Sequence, residues 1–149
     1  MLLLACGSSH ATLGEKRSTS ATGTTASTTA APQLRAQAST LQTAGVTQQA
    51  TPLPNGTSVV EYMDRNGTVF AVTWEGPVLP DLPATLGRYF AQFKSEVQQL
   101  GTASRRAGVL NLRGSDLVVH SEGRMRRFSG YAYVVSLVPP GLNLQDVLP

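Results

Sequence analysis

"TSVVEYMDRNGTVFAVTW", residues 57–74, decides the fold. Two runs rich in Val, Tyr, Phe and Thr, Thr57–Met63 and Thr68–Trp74, flank the tetrapeptide Asp64-Arg65-Asn66-Gly67. β-Branched and aromatic side chains suit a pleated, half-buried surface. Asp, Asn and Gly supply the local hydrogen bonds and the backbone freedom of a tight turn. The stretch therefore reads as an antiparallel hairpin with a type I turn closed by a glycine bulge. Side chains alternate across a strand, so Phe70, Val72 and Trp74 share one face and Val69, Ala71 and Thr73 the other. The larger set is expected to meet the core. Trp74, the only tryptophan, then reads as a wedge in that core rather than a binding platform.

Working towards the C-terminus, "EGPVLPDLP" (75–83) breaks the strand, because proline cannot donate to a ladder. Asp81 is the expected N-cap of a helix, with Pro83 in its first turn. Leu82, Leu86, Tyr89, Phe90, Phe93, Val97 and Leu100 recur at three- and four-residue steps, one apolar stripe that predicts a helix to about Leu100. Gly101 is its expected stop. Val109–Arg113, Leu117–Ser121 and Phe128–Val138 read as three further strands, with "EGRMRR" (122–127) as the turn before the last. Pro139 and Pro140 end that strand, and "LNLQDV" (142–147) suits one closing helical turn. Towards the N-terminus, Val46–Leu53 reads as an edge strand stopped by Pro52 and Pro54. The expected fold is α+β: an antiparallel sheet of about five strands with one amphipathic helix packed across one face, preceded by a disordered leader.

Composition sets the boundary of that domain. All nine aromatic residues of the 149-residue chain lie between Tyr62 and Tyr133. Residues 12–45 are mostly Thr, Ser, Ala, Gln and Gly, and bury too little apolar surface to offset their ordering entropy. A flexible leader is expected over 12–45 and a single domain over 46–149.

The first residues, "MLLLACGSSHATLGEK", run from a short apolar stretch to small residues. Ser9-His10-Ala11 supplies a small-x-small site, so residues 1–11 read as a signal peptide remnant cleaved after Ala11. The basic start of such a signal is missing, which implies a start codon upstream of Met1 or a fragment. An alternative uses the only cysteine, Cys6. Leu3-Leu4-Ala5-Cys6 is similar to a bacterial lipobox, and a lipid on Cys6 would make the leader a tether. Both readings place the chain outside the cytoplasm, periplasmic or secreted in the first and a lipoprotein at the membrane in the second. No apolar run reaches the length of a transmembrane helix.

The net charge of +3 is unevenly spread. Arg88, Lys94, Arg105, Arg106, Arg113, Arg124, Arg126 and Arg127 face only Glu96, Asp116 and Glu122 over the same stretch. Arg124, Arg126 and Arg127 flank Met125 in one turn, and Arg105 and Arg106 lie in another. Two such turns at one end of a sheet would form a basic patch. Nucleic-acid binding calls for a stronger basic balance with interleaved aromatics, so it is not expected. An anionic envelope component or another envelope protein is the expected partner. A solvated surface explains the same arginines without a partner.

Chemistry-bearing patterns are few. Asp116, His120 and Ser121 invite a hydrolase reading centred on His120. On one strand, however, Asp116 and His120 face one way and Ser121 the other, so the three do not converge. A single cysteine and two histidines, His10 and His120, are too few for a metal site. No glycine loop is placed to cradle a phosphate. No catalytic, cofactor-binding or metal residue is therefore assigned, and no cofactor is expected. The candidate ligand-facing residues are His120, Arg124, Arg126 and Arg127. Asn55-Gly-Thr57 and Asn66-Gly-Thr68 match the glycosylation pattern, but turn chemistry already explains them.

Four motifs occur together: W-x-G-P-x-x-P-D-L from Trp74, L-G-x-Y-F from Leu86, L-V-V-H-S-x-G-x-M from Leu117, and the hairpin itself. This combination, over residues ~46–147 with "ATLGE" (11–15), resembles the bacterial exported proteins grouped as domain of unknown function 2844. The resemblance implies a processed envelope protein, periplasmic rather than lipid-anchored. It brings no activity with it and assigns no role to His120.

Overall fold

The computed structural model describes residues 12–16, 45–100, 105–106 and 108–148. Most of the expected leader, the signal remnant, Cys6 and Gly101 lie outside them. Strands β1 (Thr47–Pro52), β2 (Ser58–Met63), β3 (Val69–Gly76), β4 (Arg105–Arg106), β5 (Val109–Arg113), β6 (Leu117–Arg124) and β7 (Arg127–Val134) form one sheet. Their order is β1-β2-β3-β7-β6-β5-β4, and every neighbouring pair is antiparallel. The sheet thus has seven strands rather than about five. The edge strand expected over Val46–Leu53 forms as β1, and the strand without an expected counterpart is the two-residue edge β4. The α+β class holds.

The opening hairpin forms as expected. The Asp64 carboxylate accepts from the backbone N–H groups of Asn66 and Thr68, both at 2.8 Å. Asp64 and Thr68 also pair through their backbone at 3.0 Å. Alternation fails at one place. Tyr62 opposes Ala71 but Met63 opposes Val69, so Phe70 is an extra residue, a β-bulge. The bulge puts Phe70 with Ala71 on one face and Val69 with Val72 and Trp74 on the other. The grouping of Phe70 with Val72 and Trp74 is therefore corrected: large side chains go to both faces.

The helix is broken. Segment α1 (Leu82–Leu86) leads through a 3-10 turn (Gly87–Tyr89) into α2 (Phe90–Gln99). Asp81 holds the N-cap position, but its side chain makes no capping bond; its carbonyl instead accepts from the Thr85 N–H and hydroxyl, each at 2.8 Å. The break falls at a glycine that a distant segment packs against. Gly87 has φ +51°, and a Cβ there would collide with Thr12. Residues 12–16 run against this corner: Leu13 N–H donates to Thr85 O at 3.0 Å, Gly14 N–H to Val69 O at 2.8 Å, and Val69 N–H to Glu15 O at 3.0 Å. Leu13 is fully buried. The packed domain therefore draws on a segment that composition assigns to the leader.

Two cores result. Against the helices, Leu13, Val59, Met63, Val69, Val72, Trp74, Leu86, Phe93, Leu112, Leu117, Val119, Ala132 and Val134 pack together. Trp74 is wedged there as expected, 2% exposed. Its indole lies over Gly130, where a Cβ would come within 2.6 Å of the ring. The carboxylate of Glu61 is wholly buried in the same layer, opposite Val72 in register. On the reverse face, Val46, Tyr62, Phe70, Ala71 and Val147 pack beneath Leu137, Val138, Leu142 and Leu144 of the C-terminal segment. That segment begins earlier than expected. β7 ends at Val134 and a 3-10 turn spans Val135–Leu137, so Val135 leaves the strand and is exposed.

Candidate functional site

The C-terminal segment covers the reverse face only around β2 and β3, where Tyr62, Phe70 and Ala71 are buried. The β5–β7 half stays polar, and register determines what it displays. A short Gly114-Ser115-Asp116 connection sets Asn111 opposite His120, and the β6–β7 hairpin sets His120 opposite Tyr131. His120 and Tyr131 stack with centroids 5.3 Å apart, and Tyr131 stacks on Tyr133 at 6.2 Å. Because the rings cover one another, the ridge offers edges and hydroxyls rather than open aromatic planes. The Nδ1 of His120 is hydrogen-bonded to Asn111 Oδ1. Asn111 and Tyr131 are the partners that the sequence reading missed. The strand spacing carried the signal, since the tight β5–β6 connection fixes Asn111 and the β6–β7 hairpin fixes Tyr131.

Asp116 does not join His120. Its two carboxylate oxygens accept from Ser136, at 2.8 Å from the backbone N–H and 2.7 Å from the hydroxyl. Its carbonyl accepts from the Val135 N–H at 2.8 Å. Asp116 is thus a brace that ends β7. Ser121 faces the helices, in the wall of an apolar groove with Leu110 and Val119. The three residues of the hydrolase reading are spread over a strand end and two faces, as alternation implies.

The basic hairpin is tighter than "EGRMRR" suggested. Arg124 and Arg127 pair as strand residues, leaving Met125 and Arg126 as a two-residue tip. Arg126 has φ +63°, an uncommon conformation for a residue with a side chain. Arg127 bonds Glu75 at 3.1 Å, both largely exposed, and Ser129 donates to Glu122 at 3.2 Å. Arg124, Arg127, Glu122, Gly123 and Ser129 line a shallow cleft of about 380 Å3. The second basic turn does lie at this end: Gly123 N–H donates to Gly108 O at 2.9 Å, and β4 with Arg105 and Arg106 pairs with β5 beside it. The structure thus brings the arginine hairpin and the backbone of the second basic strand together. His120 stands further along β6 on the same face as Arg124.

Tyr62 closes the other end of this face. Burial pushes its phenol above the ordinary value of 10.0, and a hydrogen bond with Thr73 partly opposes that. Among the described residues there is no grouping of three or more His, Cys, Asp or Glu side chains able to hold a metal. No helix among them is long and apolar enough to cross a membrane.

No curated protein and no solved structure matches the chain significantly. A family profile does match, described as "Protein of unknown function (DUF2844)", over residues 9–147. The match begins before the buried Leu13 and runs through the C-terminal cover, so it takes in the whole packed unit. With the hairpin, the wedged Trp74 and the His120 strand all inside the matched span, the chain belongs to the DUF2844 family.

Proposed function

We propose that this chain is an exported bacterial envelope protein, a non-enzymatic binding or structural accessory module. Its contact surface is the polar half-face of β5–β7, with His120 at its centre and Arg124, Arg126 and Arg127 at its end. The partner is an anionic envelope component or an envelope protein with an acidic surface. One observation carries the choice of binding over hydrolysis. The His120 ring is engaged by Asn111 and Tyr131, while both carboxylate oxygens of Asp116 are engaged by Ser136. A proton relay needs its base and orienting group within hydrogen-bond reach of each other. Export after cleavage at Ala11 is compatible with the fold, because the mature chain keeps Leu13, which the core requires.

Cross-linking in living cells with tagged full-length protein tests the reading. Specific capture of one envelope component, lost in Arg124→Glu/Arg126→Glu and reduced in His120→Ala, is the expected outcome. Equal capture by wild type and both variants would sink the assigned surface. Mass spectrometry of the mature N-terminus separates cleavage at Ala11 from lipidation of Cys6. In the anchored alternative, Cys6→Ser releases the protein from membranes.

A further inference from the structure

The loops at the hairpin end of the sheet carry a second feature. Register fixes which loops these are. Gly76 pairs with Phe128 and Arg124 with Arg127, so the loop of residues 77–81 and the Met125–Arg126 tip leave the sheet side by side. The Arg127–Glu75 bond at 3.1 Å ties the two together. Apolar side chains concentrate here. The large apolar residues most exposed among the described residues are Val78, Leu79, Leu100, Met125 and Val135. Val78 at 46%, Leu79 at 36% and the fully exposed Met125 all belong to this end. The loop that presents two of them is braced. The hydroxyl of Thr57, itself buried, donates to the Val78 carbonyl at 2.6 Å. A Cβ on Gly76 would strike Thr57, so the strand exit packs directly on that brace. Leu79 also reaches back into the groove under α2, with Leu82, Phe93 and Phe128. Val78 and Leu79 are therefore exposed on a fixed loop, and Met125 on a two-residue tip.

Charge selects the partner. Arg124, Arg126 and Arg127 stand exposed around Met125, and β4 with Arg105 and Arg106 pairs with β5 at the same end. Of the carboxylates here, Glu75 accepts from Arg127, Glu122 accepts from Ser129, and Asp81 sits where the loop enters α1. Arg124 and Arg126 have no ion pair among the described residues. The opposite end of the sheet, where Leu100 and Val135 are exposed, differs: Asp64, Glu96 and Asp116 stand there with Arg65 and Arg113. Apolar tips among arginines match the boundary of an anionic bilayer, where acyl chains lie beneath phosphates. A bilayer is a plane, so it meets both loops at once, whichever face of the sheet their side chains leave from. Each arginine held near such a surface strengthens binding roughly fivefold.

We infer that this end of the sheet adsorbs to an anionic bilayer, with Val78, Leu79 and Met125 at the acyl boundary and Arg124 and Arg126 on the phosphates. The inference rests on the proposed function in reading the arginine hairpin as anion-facing, and it names that anion as a layer of lipid headgroups. The His120 ridge does not enter it.

Sedimentation of the full-length chain with vesicles of equal parts phosphatidylglycerol and phosphatidylcholine should show saturable binding. Vesicles of phosphatidylcholine alone should bind about tenfold more weakly or worse. Met125→Trp supplies a reporter at the tip. Its emission should shift to the blue on the anionic vesicles and be quenched by brominated acyl chains, whereas the buried Trp74 of the wild type should do neither. Arg124→Glu/Arg126→Glu should lower binding about tenfold or more. Met125→Asp should lower it several-fold, and Val135→Asp, with the same new charge at the opposite end, should leave it unchanged. All of these substitutions fall on exposed side chains, and the urea midpoint verifies folding. Equal binding to both vesicle types, a tip tryptophan neither shifted nor quenched, or as large a loss in Val135→Asp as in Met125→Asp would each overturn the inference. So would binding of polyglutamate with none to the vesicles, which would make this end a docking surface for acidic protein. His120→Ala separates the two proposals, since it should reduce envelope capture and leave vesicle binding unchanged. Absent vesicle binding, with capture still sensitive to His120→Ala and to Arg124→Glu/Arg126→Glu, would remove this inference and leave the contact surface standing. Capture insensitive to both variants, with vesicle binding intact, would do the reverse.

Discussion

The two faces of the sheet are built from the same strands and yet carry different side chains. On the helix face, most alternate residues of β2, β3, β7, β6 and β5 are apolar and closed over by α1, α2 and Leu13. On the reverse face the apolar residues stop halfway, where the C-terminal segment ends its cover, and His120, Tyr131 and Tyr133 take over. One alternating pattern thus separates the core from the proposed contact surface. Residues that hold the fold and residues of that proposed surface are sequence neighbours, Val119 beside His120 and Ala132 beside Tyr131, but lie on opposite sides of the sheet. Changes on one side should be read out as stability and on the other as binding.

Substitutions can break that contrast or sharpen it. The largest stability loss is expected from Leu13→Ala, about 2–5 kcal/mol, because it empties a fully buried site between β3 and the helix corner. Urea denaturation of the full-length chain measures it, and a loss within error would place residues 12–16 outside the cooperative unit. Gly130→Ala should cost about 1–3 kcal/mol through overpacking, since its Cβ would press on the His120 carbonyl and, at 2.6 Å, on the Trp74 ring. A shifted tryptophan emission should accompany that loss. Asp116→Ala removes the carboxylate that accepts twice from Ser136, and a cost of about 1.5 kcal/mol is expected. If Asp116 were instead a catalytic partner of His120, its loss would leave the urea midpoint unchanged.

Tyr62 gives a pH-dependent test. Its phenol resists ionisation more in the folded than in the unfolded chain, so the folded state holds the proton longer. The stability it contributes is complete below pH 10.0 and is lost as pH rises from there through the raised folded value. Tyr62→Phe should flatten this alkaline limb, and a profile identical to wild type would assign the limb to another group. The smallest effect on stability is expected for His120→Ala, within about 0.5 kcal/mol, because the ring lies on the half-exposed polar face. A much larger destabilisation would make the stacked ridge a structural element and weaken its assignment to a contact surface.

Local signals in the sequence were read well, and contacts between distant segments were not. The Asp64–Gly67 turn, the stripe on α1 and α2, the Trp74 wedge and the opposition of Ser121 to His120 all follow from spacing of a few residues. The Phe70 bulge does not, because a one-residue slip in pairing leaves no mark on composition. Gly87 was a local signal for the helix break, but its contact with Thr12 was not legible, because Thr12 is far away in the chain. At the site, His120 and the arginines were visible as residue types. The pairing of His120 with Asn111, and of Asp116 with Ser136, required the strand register. The groove under α2 was invisible, because its walls are the same apolar stripe that reads simply as core.

Leu13 also sets an order of events in time. Its seat is made by Val69 and by the Thr85–Leu86 corner, all far later in the chain. A polypeptide emerging N-terminus first presents Leu13 well before that seat exists. Closing so long a loop adds little to the equilibrium cost, which grows only with the logarithm of length, but contacts between distant residues slow folding. The hairpin and helices can assemble locally, whereas the last piece of the core has to wait for them. Docking of Leu13 therefore marks the moment when the domain closes.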